Sequence, residues 1–91
     1  MYEKYKNIIW FLRGSQRKNL FLNLPDAEFM PNKLRKKLPM KISLREMSRH
    51  LKNLKEKGFI KCLNEKDPYN RIYIITGKGK KVKKELRNFE K

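Results

Sequence analysis

The side chains best suited to chemistry in this chain are two arginines. Arg45 and Arg49 are four residues apart, so on a helix both lie on one face. A guanidinium can donate two parallel hydrogen bonds to O6 and N7 of guanine, which discriminates against other bases by about 1–3 kcal/mol. The spacing therefore indicates contact with nucleic acid. The alternative is a pair of solvated arginines that pair with Glu46 or with nothing.

Glu46 itself has two interpretations. It follows Ser43 by three residues, the spacing of a capping box, in which the serine hydroxyl and the glutamate carboxylate satisfy backbone N–H groups at a helix start. A carboxylate on the same face could instead accept a hydrogen bond from cytosine N4. We favour the capping role.

Other cations lie earlier in the chain and could neutralise phosphates. Near the start of the first predicted helix, Arg17 and Lys18 could reach a nucleic-acid backbone. A larger polar group lies in the second predicted helix and comprises Asn32, Lys33, Arg35, Lys36 and Lys37. The alternative for both groups is a solvated face without a partner.

Catalytic and metal-binding chemistry has little to build on. The chain has one histidine, His50, and one cysteine, Cys62, and it lacks a Gly-rich phosphate loop and paired carboxylates, so no nucleophile–base set is available. We expect His50 to pack beside the core and Cys62 to act as a small buried apolar residue. The sequence predicts no enzyme, no cofactor, no metal and no small-molecule substrate.

The positive charge is concentrated in two segments. The chain carries a net charge of +16. Residues 32–61 hold eleven Lys and Arg against two acids, and residues 78–91 hold seven against two. Such a field suits a polyanion, because phosphate neutralisation releases condensed counterions. The alternative is a lysine-rich but merely solvated surface.

Length and apolar patterning predict one domain and no membrane span. The 91 residues are too few for two cores. The longest apolar run, Ile8 to Leu12, is far shorter than the roughly 20 residues that a span needs. A single cysteine fits a reducing compartment. We expect a cytoplasmic, nucleoid-associated protein.

The clearest element is the helix predicted over residues 43–57, which must position the two arginines. Ser43 is its N-cap, and Gly58 follows where a left-handed residue is favoured. Its opposite face is predicted to be buried through apolar residues at spacings of 3, 4 and 3, namely Leu44, Met47, Leu51 and Leu54.

The segments before this helix are less regular. The first part of the chain, residues 1–14, is an N-terminal apolar segment. Its apolar block is so short that periodicity cannot distinguish a helix from a strand. A first helix is predicted over 15–24, stopped by Pro25, and a second over 31–38, with Pro31 in its first turn. The predicted inward residues are Leu20, Phe21, Leu22, Leu24, Leu34 and Leu38.

A β-hairpin is predicted over residues 59–75. Strand-like segments at 59–63 and 71–75 flank Asp67 and Pro68, which fit the first two positions of a type I turn. Thr76 then caps a C-terminal helix over 77–90. Its predicted buried residues are Val82, Leu86 and Phe89.

Trp10 and Phe11 could belong either to the core or to a dimer interface with the closing helix. A contiguous apolar surface of that size is rarely left in water. We favour the core.

Three segments together resemble ArsR/MarR-type winged-helix transcriptional regulators, especially the small archaeal type. They are FLRGSQRKNLFLNL (11–24), SRHLKNLKEKGFI (48–60) and RIYIITGKGKKV (71–82). The resemblance implies an α+β, mostly helical winged helix-turn-helix fold with a three-helix core, a two-stranded β wing and a C-terminal helix. Two features depart from the family: a Pro39-Met40 step, and the absence of a metal-sensing cysteine pair.

By position, the resemblance implies that helix 43–57 enters the major groove and that the wing tip, residues 65–71, contacts backbone or minor groove. The implied groove residues are Ser43, Arg45, Glu46, Ser48, Arg49 and Lys52, and the implied wing residues are Lys66, Tyr69, Asn70 and Arg71.

Taken together, these patterns predict a sequence-specific regulator that binds double-stranded DNA as a homodimer. Two alternatives stay open. One is a sequence-independent architectural or chromatin protein, favoured by the lysine excess. The other is a winged-helix module that binds RNA or protein.

Overall fold

The computed structural model describes the backbone of residues 2–89, and the side chains from Tyr5 onward. Within that range the chain is α+β and mostly helical, with one two-stranded antiparallel sheet. This confirms the predicted class. The elements are α1 Tyr2–Leu12, α2 Ser15–Leu22, α3 Pro31–Arg35, α4 Leu44–Glu56, β1 Ile60–Cys62, β2 Tyr73–Ile75 and α5 Gly77–Phe89. No helix in this range has the length and apolar character to cross a bilayer.

The N-terminal segment, left open between helix and strand, is helical. Its Phe11 is fully buried and stacks on Phe21 and Phe59, with ring centroids 4.6 and 5.6 Å apart. Trp10 is half-buried and meets Phe11 edge to face at 4.8 Å. The aromatic block therefore anchors α1 in the core, as favoured from the sequence.

Two predicted helices end earlier than expected. α2 stops at Leu22 rather than residue 24. Asn23 is its C-cap residue, and the Asn23 Nδ2 donates to the Asn19 carbonyl of the last turn at 2.7 Å. Leu24 is still buried, outside the helix. α3 stops at Arg35 rather than residue 38. The following turn approaches Pro39, which disfavours helical backbone in the residue before it.

α4 begins as predicted but buries a different stripe. Ser43 Oγ accepts from the Glu46 backbone N–H, and the Glu46 carboxylate accepts from the Ser43 N–H, both at 3.1 Å, so the capping box is confirmed. The prediction that Leu44 is buried is wrong, because its side chain is 45% exposed. His50 takes the fourth buried position instead. The buried face of α4 is therefore rotated away from Leu44 and toward His50.

The hairpin strands are shorter than predicted and gain a third partner. Ile60 pairs with Ile75, and Cys62 pairs with Tyr73. Phe29, which lies between the first two predicted helices, forms an antiparallel bridge with Tyr73 through two backbone hydrogen bonds of 2.9 Å. The hairpin is thereby joined to the connection between α2 and α3.

α5 closes the core against α1 and α2. Thr76 Oγ1 accepts from the Gly79 N–H at 3.0 Å and donates to the Gly58 carbonyl at 2.7 Å, so the predicted cap is confirmed. Val82 and Leu86 are buried, but Phe89 is 54% exposed, which corrects the predicted stripe. The buried face continues through Lys83 instead, and Phe89 lies in the last described turn, past the core.

Candidate nucleic-acid interface

The outer face of α4 presents cations because its other face is held in the core. Met47, Leu51 and Leu54 are buried on one side. On the opposite side four predicted groove residues are exposed together, and we call them the α4 outer face: Arg45, Ser48, Arg49 and Lys52. The two arginines lie one turn apart on a helix whose start is fixed by the capping box.

A groove of about 620 Å³ lies between α3, α4 and the hairpin tip, residues 63–72, and we call it the α4 groove. Its lining includes the cations Lys33, Lys52, Lys55 and Arg71 and the apolar residues Leu44, Leu51 and Tyr73. It brings together six residues predicted from three separate stretches of sequence: Lys33, Ser48, Lys52, Tyr69, Asn70 and Arg71. The fold therefore brings one edge of the α4 outer face, Ser48 and Lys52, together with Lys33 and the hairpin tip, whereas Arg45 and Arg49 do not line the groove.

Asp67 shapes the hairpin tip. Its Oδ1 accepts hydrogen bonds from the backbone N–H groups of Tyr69 and Asn70, both at 2.9 Å. These bonds lower the pKa of Asp67, because they stabilise the ionised carboxylate. The turn leaves the Tyr69 side chain 89% exposed, so an aromatic ring stands at the lip of the α4 groove.

Asn64 closes the tip from the other side, and sequence reasoning missed it. Its Oδ1 accepts from the Ile72 N–H at 2.7 Å, and its Nδ2 donates to the Asn70 carbonyl at 2.8 Å. One side chain thereby bridges both arms of the hairpin. The only sequence signal was an asparagine placed at the end of a predicted strand, a position that such short polar side chains favour.

An ion pair joins the tip to α4. The Lys55 ammonium contacts the Glu65 carboxylate, and this interaction raises the pKa of Lys55 and lowers the pKa of Glu65. Both side chains are substantially exposed, so the pair adds little stability. It does hold the tip beside the helix.

The start of α4 is also fixed from α2. Gln16 Nε2 donates to the Glu46 carboxylate at 3.2 Å, and Gln16 Oε1 lies 2.7 Å from His50 Nε2. The hydrogen bonds from Ser43 are the main cause that lowers the pKa of Glu46. Burial lowers the pKa of His50, with the nearby charge of Arg49 acting in the same direction. Glu46 and Ser43 thus have structural partners, in keeping with the favoured capping role.

The remaining predicted residues lie at the margins of this surface. Lys66 is exposed at the hairpin tip, and Lys36 and Lys37 are exposed just after α3. Arg35 is half-buried, and its Nε is shielded from solvent without a hydrogen-bond partner. Asn32 lines the α4 groove beside Lys33.

Arg17 has an intramolecular role. Its guanidinium carbon lies 3.6 Å from the centroid of the Trp10 ring, and its Nη2 donates to the Trp10 carbonyl. Lys57 approaches the same ring at 5.2 Å. Burial lowers the pKa of Arg17. Lys18, predicted with it, is half-buried.

Between residues 5 and 89, no cluster of three His, Cys, Asp or Glu side chains could hold a metal ion. Comparison of the chain with models of protein families, with curated proteins and with solved structures gives no match.

Proposed function

We propose that this protein is a winged-helix transcriptional regulator that binds double-stranded DNA. In this interpretation α2, α3 and α4 form the three-helix core, β1 and β2 form the wing, and α5 is the closing helix. The observation that carries the proposal is the α4 groove, where a capped helix with an exposed cationic face lies beside an exposed, internally fixed hairpin tip. α4 enters the major groove, and the tip contacts the flanking backbone or minor groove.

The residues proposed to contact DNA divide into base-reading and phosphate-binding groups. Arg45 and Arg49 read guanine edges. Leu44, exposed at the first turn, contacts a thymine methyl, the one apolar group on the major-groove edges of the base pairs. Phosphates are bound by the surrounding cations and polar tip residues, which fix the register of the helix. They are Lys33, Lys36, Lys52, Lys66, Tyr69, Asn70 and Arg71.

The protein acts as a homodimer through α1. Tyr5, Ile9 and Leu12 are exposed at spacings of 4 and 3 along that helix. Residues 5–12 hold one lysine and no acid, whereas each copy carries a net charge of +16. Two such copies can meet with least repulsion on this apolar face. A two-fold dimer would read half-sites about 34–36 Å apart, and a chromosomal target would place it in the cytoplasm on the nucleoid.

The test is selection of bound sequences from a random duplex pool, followed by affinity measurements on the selected site. Arg45→Ala/Arg49→Ala should weaken that site by about 10-fold or more relative to random duplex. Lys61→Ala/Lys81→Ala removes the same charge from exposed positions outside α4, the α4 groove and the α1 dimer face and should preserve the preference. Equal binding of selected and random duplex would reject sequence-specific readout.

A sequence-independent architectural role is the second candidate, favoured by the net charge of +16. Six to ten phosphate contacts would lose about 10³–10⁵ in affinity between 50 and 200 mM salt in either case. Only the ratio between selected and unrelated duplex separates the two candidates. The same competition with duplex and single-stranded RNA tests the third alternative, an RNA-binding module.

A further inference from the structure

We propose that α5 carries a second nucleic-acid site, which binds phosphates of a second DNA duplex and lets the protein bridge two DNA segments. The site is a row of four cations on one side of the helix, which we call the α5 basic stripe: Lys80, Lys83, Lys84 and Arg87. Their spacings of 3, 1 and 3 place them together on one helical face. This site goes beyond the regulator function proposed for α4.

The stripe surrounds a depression of about 340 Å³. Asn88 and Asp26 complete its lining, so four cations and one amide donor face one carboxylate. The Asp26 carboxylate is 77% exposed, where its field is screened by water. The depression therefore keeps an excess of positive charge and donor groups, which suits a phosphate.

Lys83 is the feature that separates this depression from an ordinary solvated lysine face. The residue is only 7% exposed, and its ammonium donates to the Leu24 carbonyl. The ammonium also forms a long ion pair of 3.8 Å with the exposed Asp26 carboxylate. Burial lowers the pKa of Lys83, and the negative charge of Asp26 opposes that shift only in part. An anionic oxygen in the depression would supply the missing partner for an ammonium with three donors.

The stripe and the α4 outer face lie on helices with different neighbours. α5 packs on α1 and α2, whereas α4 packs on α3 and β1. Arg87 donates to the Leu22 carbonyl at 3.1 Å and Lys83 donates to the Leu24 carbonyl, so the stripe lies against the end of α2 and the residues that follow it. We infer that both surfaces can be occupied at once.

The length of the stripe favours a nucleic-acid backbone over a single free phosphate. Lys80 to Arg87 spans seven residues, about 10 Å along the helix. One DNA strand advances about 3.4 Å per phosphate along the duplex axis, so the stripe extends past several phosphates. A single small anion would occupy only one end of it.

Bridging is measured by capture of a fluorescent duplex on beads that carry an unlabelled duplex, with protein added. Wild-type protein should join the two. Lys80→Glu/Lys84→Glu should reduce capture by about 10-fold or more, because it reverses two charges of the stripe. The affinity of the same variant for one short selected duplex should change by less than about threefold, since α4 is untouched.

Lys81→Glu is the matched control for Lys84→Glu. Both residues are exposed on α5 and both changes are identical in charge, but only Lys84 lines the depression. Lys84→Glu should reduce capture several-fold more than Lys81→Glu. Lys83→Gln, which removes the buried charge but keeps a donor for the Leu24 carbonyl, should also reduce capture, with circular dichroism to check that it folds.

If Lys80→Glu/Lys84→Glu captures as much duplex as wild type, the proposal is overturned. Bridging would then not depend on α5, and the two α4 helices of a dimer would explain it. Failure of wild-type protein to capture, while it binds one duplex, would overturn it too. The α4 proposal fails separately if Arg45→Ala/Arg49→Ala leaves the preference for the selected duplex unchanged while Lys80→Glu/Lys84→Glu still reduces capture. Inorganic phosphate that blocks capture at low millimolar concentration would indicate a free-anion site and reject the backbone.

Discussion

Gln16 and His50, separated by 34 positions in sequence, are joined by a 2.7 Å hydrogen bond between the amide Oε1 and the imidazole Nε2. An amide oxygen accepts, so Nε2 carries the proton and Nδ1 is the unprotonated nitrogen. The same amide donates to Glu46 at 3.2 Å. A single side chain on α2 thereby fixes the first two turns of α4, the helix proposed to read DNA.

Gln16→Ala should destabilise the fold by about 1–2 kcal/mol, since it removes two hydrogen bonds and leaves His50 Nε2 unpaired at a buried position. Asn19→Ala, an exposed amide on the same helix, should change the free energy of unfolding by less than about 0.5 kcal/mol. Urea denaturation measures both. Equal stability of the two variants would show that the Gln16 bonds contribute nothing.

Stability should fall as the pH drops through the range in which histidine ordinarily titrates. The pKa of His50 is lowered in the folded protein, so just below about pH 6.5 the unfolded chain binds more protons than the folded chain. The stabilisation is complete above the unfolded pKa and is lost progressively toward the lower folded pKa. Because the chain has one histidine, its imidazole NMR resonance gives the folded pKa directly. A midpoint at or above 6.5 would contradict this assignment.

Asn64→Ala should loosen the hairpin tip. It deletes the bonds to the Ile72 N–H and the Asn70 carbonyl, at a cost of about 1–2 kcal/mol. Asn64→Asp keeps the acceptor and should lie between alanine and wild type. Hydrogen exchange at the Ile72 amide reports the change locally, and it should accelerate in the alanine variant while the α4 amides keep wild-type rates.

Gly79→Ala should be among the most damaging small substitutions. A Cβ at this position would lie 2.1 Å from the Phe59 carbonyl oxygen and 2.7 Å from Ile75 Cγ1, so α5 would have to shift away from the hairpin. We expect a loss of about 1–3 kcal/mol or more. Gly77→Ala is the control, because nothing lies within 4 Å of its added methyl, and it should be neutral or slightly stabilising. Thermal denaturation compares the pair.

Leu44 should contribute to base preference at thymine. If its exposed side chain contacts a thymine methyl, replacing deoxythymidine by deoxyuridine throughout the selected site should weaken binding by roughly fourfold, about 0.8 kcal/mol for one buried methyl group. Leu44→Ala should bind both duplexes equally. A wild-type protein indifferent to the replacement would remove Leu44 from the readout and leave the arginine contacts unaffected.

Local patterns in the sequence predicted the elements well and their mutual contacts poorly. The Ser43–Glu46 box and the Thr76 cap depend on residues within three or four positions of one another, so spacing alone predicts them. The bridge between Phe29 and Tyr73 and the bond from Gln16 to His50 join distant segments, and no periodicity encodes them.

Cys62, expected to be buried, is only half-buried. The two errors of burial within the helices have the same origin. Leu44 and Phe89 both continue an apolar repeat at a helix end, where the repeat extends past the neighbouring elements. His50 and Lys83 are buried although they are polar, so the apolar repeat did not include them. Which end of a stripe is covered depends on the packing partner, and the stripe itself does not contain that information.

Trp10 gives the molecule an intrinsic optical reporter. It is the sole tryptophan, and its indole lies against the Arg17 guanidinium, with the Lys57 ammonium nearby, where α1, α2 and the end of α4 converge. Because these cations lie so close to the ring, its fluorescence emission is sensitive to any displacement of α1, α2 or the end of α4. Fluorescence of the unlabelled protein would therefore follow how these three helices adjust when a polyanion is engaged, in real time and without a dye.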